Sequence, residues 1–248
     1  MSSDKIEAGT ITLTSGRGDE IEAYHARPVD AESYGSVVVI HHMPGYDSST
    51  KEIARRFASH GYGAVVPNLF HRFAPGAAAG DGAAAARAAG GVPDAQCLED
   101  VAGAMAFLNA QSGANGKVGV IGYCSGGRQS YLTACNLDVD AAVVCYGGGV
   151  VATPEQLSPE RPVAVIDMTK DLRCPMLGLF GVDDANPSPE QTARMEAELK
   201  AHDKIYEFCT FEDAGHAFFW VERPSYRSEA AREGWHRIWE FYGKYVEG

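Results

Sequence analysis

An apolar run, Lys117-Val118-Gly119-Val120-Ile121, passes through Gly122-Tyr123-Cys124-Ser125-Gly126-Gly127 directly into a helical pattern that extends to Cys135. A strand that becomes a helix in so few residues must turn tightly. The positions two before and two after the residue at the apex then have room only for small side chains. Gly122 and Gly126 meet that requirement around Cys124. With Ser125 at the apex, the position two before would be Tyr123, whose bulk the turn excludes. Cys124 is therefore the expected nucleophile rather than one more buried thiol. Strain at such an apex exposes the side chain above a sheet, and the amino terminus of the following helix favours both a thiolate and a nearby oxyanion.

The rest of the chain supplies the sheet that such a turn needs. Thr10 to Thr14 and Glu20 to Ala26 alternate apolar and polar residues around the turn-rich Ser15-Gly16-Arg17-Gly18-Asp19, the pattern of an antiparallel hairpin. From Ser36 onward, apolar runs alternate with helical spacing. Strands are expected near Ser36 to His41, Tyr62 to Pro67, Lys117 to Tyr123, Val139 to Gly148, Cys174 to Gly181 and Lys204 to Phe211, with helices between them and a last helix from Ser228 to Val246. Asp94 is placed to cap the helix after Pro93, and Pro189 lies near the start of another. Gly76 to Gly91 reads equally as a flexible loop or as a weak helix around Ala83 to Ala89. Val150 to Asp171, interrupted by prolines at 154, 159 and 162, reads as an irregular insertion. Repeated strand-helix units imply an α/β class with a mostly parallel central sheet and helices on both faces. At 248 residues, one domain spanning 1–248 is expected.

The balance of charge narrows the function. A formal charge of -12 opposes phosphate backbones and anionic lipid, so nucleic acid and membrane surfaces are not expected partners. The amino terminus lacks an apolar core segment and no apolar run is long enough to span a bilayer, so a cytoplasmic protein is expected. The six cysteines contain no C-x-x-C pair, which argues against a zinc knuckle or a disulfide framework. His41, His42, His71 and His216 do not form a metal-binding pattern, because adjacent histidines point to opposite sides of an extended segment. No metal or cofactor is expected.

A thiol nucleophile needs a base, and the base needs an orienting acid; on a sheet of this kind they follow in the order nucleophile, acid, histidine. Phe180-Gly181-Val182-Asp183-Asp184 ends an apolar strand, and Asp213-Ala214-Gly215-His216-Ala217-Phe218 follows the last one. Both fall at a carboxyl edge, where open α/β sheets keep their sites. His216 is the expected base. Counting three residues from Gly181 selects Asp184 as its acid, and counting four back from Pro187 selects Asp183; both stay open, with Asp184 preferred.

Together with His41-His42-Met43-Pro44-Gly45-Tyr46-Asp47 and Gly61-Tyr62-Gly63-Ala64-Val65-Val66-Pro67, these motifs run over nearly the whole chain, and the sequence resembles the dienelactone hydrolases, the carboxymethylenebutenolidase family. The resemblance implies the α/β-hydrolase fold and a Cys-His-Asp triad carried onto Cys124, His216 and Asp184 or Asp183. It implies cleavage of an ester or enol-lactone by acylation of sulfur, followed by hydrolysis. The loop after the first parallel strand is expected to complete the oxyanion hole. Pro44 has no N–H, so the Met43 amide is the candidate beside that of Ser125. The family commonly has a glutamate where this chain has His42, a residue that cannot act as a fixed negative acceptor; His42 and Tyr123 are the expected neighbours of the thiol. Arg72, Arg87, Arg223 and Arg227 are candidates for a substrate carboxylate, and Tyr146, Phe218, Phe219 and Trp220 for an apolar acyl pocket. Two rival functions share these residues: a general short-chain carboxylesterase or thioesterase, and a non-catalytic or redox-sensing descendant that keeps Cys124 as a reactive thiol.

Overall fold

The computed structural model describes residues 5–247. β1 (Ile6–Thr14) and β2 (Glu20–Pro28) form the antiparallel hairpin, and β2 continues antiparallel onto β4 (Gly63–Pro67). Beyond β4 every pairing is parallel, through β3 (Tyr34–Ile40), β5 (Ala114–Tyr123), β6 (Ala141–Cys145), β7 (Met176–Gly181) and β8 (Tyr206–Phe211). The resulting eight-stranded sheet has the order β1-β2-β4-β3-β5-β6-β7-β8. This arrangement is the mostly parallel, helix-covered sheet expected from the strand-helix alternation, and it is the α/β-hydrolase fold that the family resemblance implies.

The sheet's two covered faces explain why β3, β4, β6 and β7 are buried at every position. In β3, Val37 and Val39 join one core while Val38 and Ile40 join the other. The first core packs against α1 (Ser48–Ser59) and α6 (Ser228–Tyr245), through Phe57, Ile238 and Tyr242. The second packs against α2 (Ala79–Ala88), α3 (Asp94–Asn109), α4 (Ser125–Asn136) and α5 (Pro189–Ala201). Local chemistry sets several helix starts. Asp47 caps α1 by accepting from the Thr50 N–H, and Ser188 with Gln191 forms a capping box around Pro189 at the start of α5.

The Ala/Gly-rich segment is helical, and it begins at Ala79, before the weak helix expected from Ala83. Its buried face consists of Gly82, Ala83 and Ala86, small enough for close approach to Phe70. Tertiary contact thus settles what alanine and glycine propensities leave balanced.

Asp94 differs from its expected role. Pro93 occupies the cap position of α3, and the Asp94 carboxylate instead accepts two hydrogen bonds from the buried Arg128 guanidinium, at 2.6 and 3.0 Å. A bidentate partner on α4 outcompetes the local amides, since it neutralises the carboxylate as well as bonding it. The pair also ties α3 to the helix that carries the Cys124 turn. Arg128→Met is expected to cost about 3–5 kcal/mol, because Asp94 is left buried and unpaired. Urea unfolding measures it, and a loss under about 1 kcal/mol would mean that water reaches the pair and solvates it.

Candidate active site

Cys124 lies between β5 and α4 with φ 57 and ψ -119, a backbone conformation that non-glycine residues rarely adopt. The turn is held from both sides. The Cys124 N–H donates to the Cys145 carbonyl at 3.1 Å, and its own carbonyl accepts from the Gly127 N–H at 2.9 Å. A Cβ at Gly122 would land on the Gly126 carbonyl, and one at Gly126 would land on the Ile40 carbonyl. Both glycines are therefore required by backbone approach, as the spacing around Cys124 indicates. The thiol is half-exposed, whereas Cys97, Cys135, Cys145 and Cys174 are buried.

The ends of β7 and β8 converge beside this turn. Gly181 lets the end of β7 approach the 213–215 turn, for a Cβ there would strike the Ala214 carbonyl, and the Asp183 N–H donates to that same carbonyl at 2.9 Å. This zipper exposes the Asp183 side chain and buries that of Asp184. Asp184 Oδ1 accepts from the Asn186 N–H at 2.8 Å, and Oδ2 accepts from His216 Nδ1 at 2.9 Å. Of the two aspartates, Asp184 is the one that meets the histidine.

Burial alone would lower the His216 pKa. Hydrogen bonds to Asp184 and to Cys124, with the charges of both, outweigh it and raise the pKa to about 10. Because Nδ1 is committed to Asp184, Nε2 is the nitrogen left for the thiol. The Tyr146 ring stands edge-on to the imidazole, centroids 5.2 Å apart, and limits its rotation.

The loop after β3 is organised by His41. Its Nδ1 donates to the His42 carbonyl at 2.9 Å and its Nε2 accepts from the Leu69 N–H at 3.1 Å, which defines a neutral ring with one tautomer. Burial keeps it neutral, holding its pKa down at about 4. Neither the Met43 nor the Ser125 N–H has a backbone acceptor among the described residues. His42 Nε2 donates to Asp47 at 3.0 Å, and the His42 ring stacks on Trp220 with centroids 3.8 Å apart. Arg223 covers Trp220, its guanidinium 4.6 Å from the ring centroid.

Other residues singled out from sequence disperse. Arg72 is bound to Asp19 and Asp100, Arg227 donates to the backbone carbonyls of Asp213, Pro224 and Tyr226, and Arg87 is exposed on α2. Phe218 is core, packed against Phe211. Tyr123 points into the core beneath α1 and α6, and its buried hydroxyl has no hydrogen-bond partner. With Tyr146, Phe219, Trp220 and His42, it lines a cavity of about 750 Å³ whose remaining walls come from α1, α6, Val221, Glu222 and Tyr226, to none of which the sequence assigned any chemistry. The signal available was the pair Trp235 and Trp239, one helical turn apart on α6. No group of three or more His, Cys, Asp or Glu placed to hold a metal occurs among the described residues. No helix among them is long and apolar enough to cross a membrane.

Comparison with known proteins places this geometry among relatives. The sequence model described as "Dienelactone hydrolase family" matches residues 21–246. A protein of Escherichia coli (strain K12) named "Putative carboxymethylenebutenolidase" is 32% identical over 244 residues, covering 98% of this chain and 89% of its own length. One of the same name from Methylorubrum extorquens is 32% identical over 233 residues, covering 91% of this chain and 77% of its own length. A crystal structure entitled "Putative Dienelactone Hydrolase" from Klebsiella pneumoniae superposes with a TM-score of 0.87 at 31% identity, covering 98% of this chain and all of the other.

Proposed function

The chain belongs to the dienelactone hydrolase family, and we propose that within it this protein is a carboxylic ester hydrolase that opens an ester or enol-lactone through an acyl-cysteine intermediate. The observation that carries the proposal is the His216 imidazole, bonded through Nδ1 to buried Asp184 and raised in pKa by that carboxylate and by the partly buried Cys124 thiol. That arrangement suits proton transfer between the thiol and a leaving group, with the carboxylate fixing the ring's tautomer.

In the proposed reaction the Cys124 proton rests on His216 Nε2, whose raised pKa holds it there, and sulfur attacks the carbonyl carbon as the thiolate. The carbonyl electron pair moves onto oxygen, where the Met43 and Ser125 N–H groups stabilise it. Collapse of the tetrahedral species breaks the carbon–oxygen bond, and His216 delivers its proton to the departing oxygen. In a lactone that oxygen stays tethered to the acyl group. His216 then deprotonates a water that attacks the thioester, and the thiolate leaves as the free acid forms. Asp184 remains ionised throughout and stabilises the imidazolium.

The test is hydrolysis of a panel made up of a dienelactone, simple lactones, and short- and long-chain aryl esters, with intact-protein mass spectrometry on samples quenched in acid during turnover. The expected result is turnover of at least one member and a covalent acyl adduct that maps to Cys124. Turnover without any adduct at Cys124, in a burst experiment that accumulates one elsewhere, would refute the cysteine mechanism.

A further inference from the structure

The 750 Å³ cavity does not include Cys124 or His216 among its walls. His42, Trp220 and Tyr146 border it, and Tyr146 also meets the His216 ring. The cavity opens as a cleft between α1 and α6 and has the size of a small-molecule site.

The lining has a definite chemistry. Trp235 and Trp239 stack on each other, centroids 5.0 Å apart, with His60 stacked on the far side of Trp239, and the indole rims with Ile53 form an apolar wall. All three tryptophans of the chain border this one space. At the mouth, Arg55 is bound to Glu52, which leaves that carboxylate neutralised. Arg56 lies over the Trp235 ring at 4.7 Å, and neither it nor Arg232 has a carboxylate partner among the described residues. Glu222 is the opposing charge there. Behind the inner wall lie two buried polar groups without a partner among the described residues, the Tyr123 hydroxyl and the Trp220 indole N–H, both closed off from the space. Both donate, and leaving a buried donor unsatisfied costs about 1–3 kcal/mol.

We propose that the cleft between α1 and α6 is a binding site for a flat aromatic carboxylate, distinct from the Cys124 centre, its ring system held against Trp235 and Trp239 and its anionic group met by Arg56 and Arg232. Rigid aromatic rims supply the apolar surface at little rotamer cost, and the guanidinium adds a charge-assisted bond that a neutral analogue lacks. The chain's overall negative charge makes this local pair of cations a feature of the site and not of the surface at large.

Calorimetry with 2-naphthoate as the probe tests the proposal, with 2-naphthamide as its neutral counterpart and tryptophan fluorescence as a second readout. The expected result is saturable binding of 2-naphthoate at one site, at least tenfold tighter than 2-naphthamide. Arg56→Ala and Trp235→Ala are each expected to weaken it at least tenfold, and Cys124→Ala to leave it unchanged. Both Arg56 and Trp235 sit at the cleft mouth, and circular dichroism verifies that each variant folds. Arg56→Lys guards against a purely structural effect and is expected to recover part of the affinity. No binding at millimolar probe, or equal binding by the Arg56→Ala variant, would overturn the assignment. So would competition between the probe and self-association seen by sedimentation, which would make the cleft a contact between copies of this chain.

Discussion

Cys124→Ala is expected to leave the protein folded and to lower kcat/KM for any ester it hydrolyses by at least about 10³-fold. The fold should survive because alanine inherits the same backbone problem as cysteine. The strain at φ 57 is imposed by the bonds to Cys145 and Gly127 and by the close approach of Gly122 to Gly126, none of which involves the thiol. Any change in unfolding free energy is therefore expected to stay within about 1 kcal/mol. Activity should fall steeply because the oxyanion donors and His216 remain with nothing to attack the carbonyl. Cys124→Ser is the sharper comparison. A hydroxyl gives up its proton far less readily than a thiol, so serine at this position is expected to retain well under a tenth of the activity. Steady-state rates on the best substrate of the panel, with thermal unfolding of each variant, measure both quantities. Full activity in the alanine variant would show that the chemistry lies elsewhere.

The fold was legible because burial leaves a periodic trace. Every residue of β3 and β4 is buried, and a strand covered on both faces has no polar side to confuse its pattern. The turn at Cys124 was legible for a different reason: the glycines on either side are demanded by contacts within a few residues and between adjoining strands, so spacing alone encodes them. What the sequence concealed depends on partners far away along the chain. Asp94 looks like a helix cap until Arg128 arrives from the next helix. The choice between Asp183 and Asp184 turns on the 213–215 loop, which pairs with one backbone and so aims the other side chain inward. The cleft depends on Trp235 and Trp239 facing Ile53 and Arg56, from helices near opposite ends of the chain. His42 is intermediate. Its partner Asp47 is five residues on, yet its stacking on Trp220 shows only in the folded protein.

Asp184→Asn carries the second large effect, and its signature lies in pH as well as rate. In the native protein His216 Nδ1 donates to Asp184, so the proton is held on that side and Nε2 faces the thiol. An asparagine can present its N–H₂ to Nδ1, which moves the ring proton to Nε2 and leaves no base there; a loss of about 10²–10⁴-fold in kcat is expected. The removed charge also lowers the imidazole's affinity for its proton. With the folded pKa raised to about 10 from a reference of 6.5, protonated His216 contributes stability that is fully present below pH 6.5 and is lost as pH rises through 10. The wild-type protein is thus expected to lose stability across that interval more steeply than Asp184→Asn, whose histidine titrates lower. Asp183→Asn, altering an exposed carboxylate one residue away, should change neither the rate nor the pH dependence. Thermal unfolding between pH 6 and 10, alongside pH–rate profiles for the three proteins, provides the comparison. If Asp183→Asn were the damaging substitution, the acid serving His216 in solution would be the other carboxylate, and the 213–215 turn would have to release Asp183 from its present position to allow it.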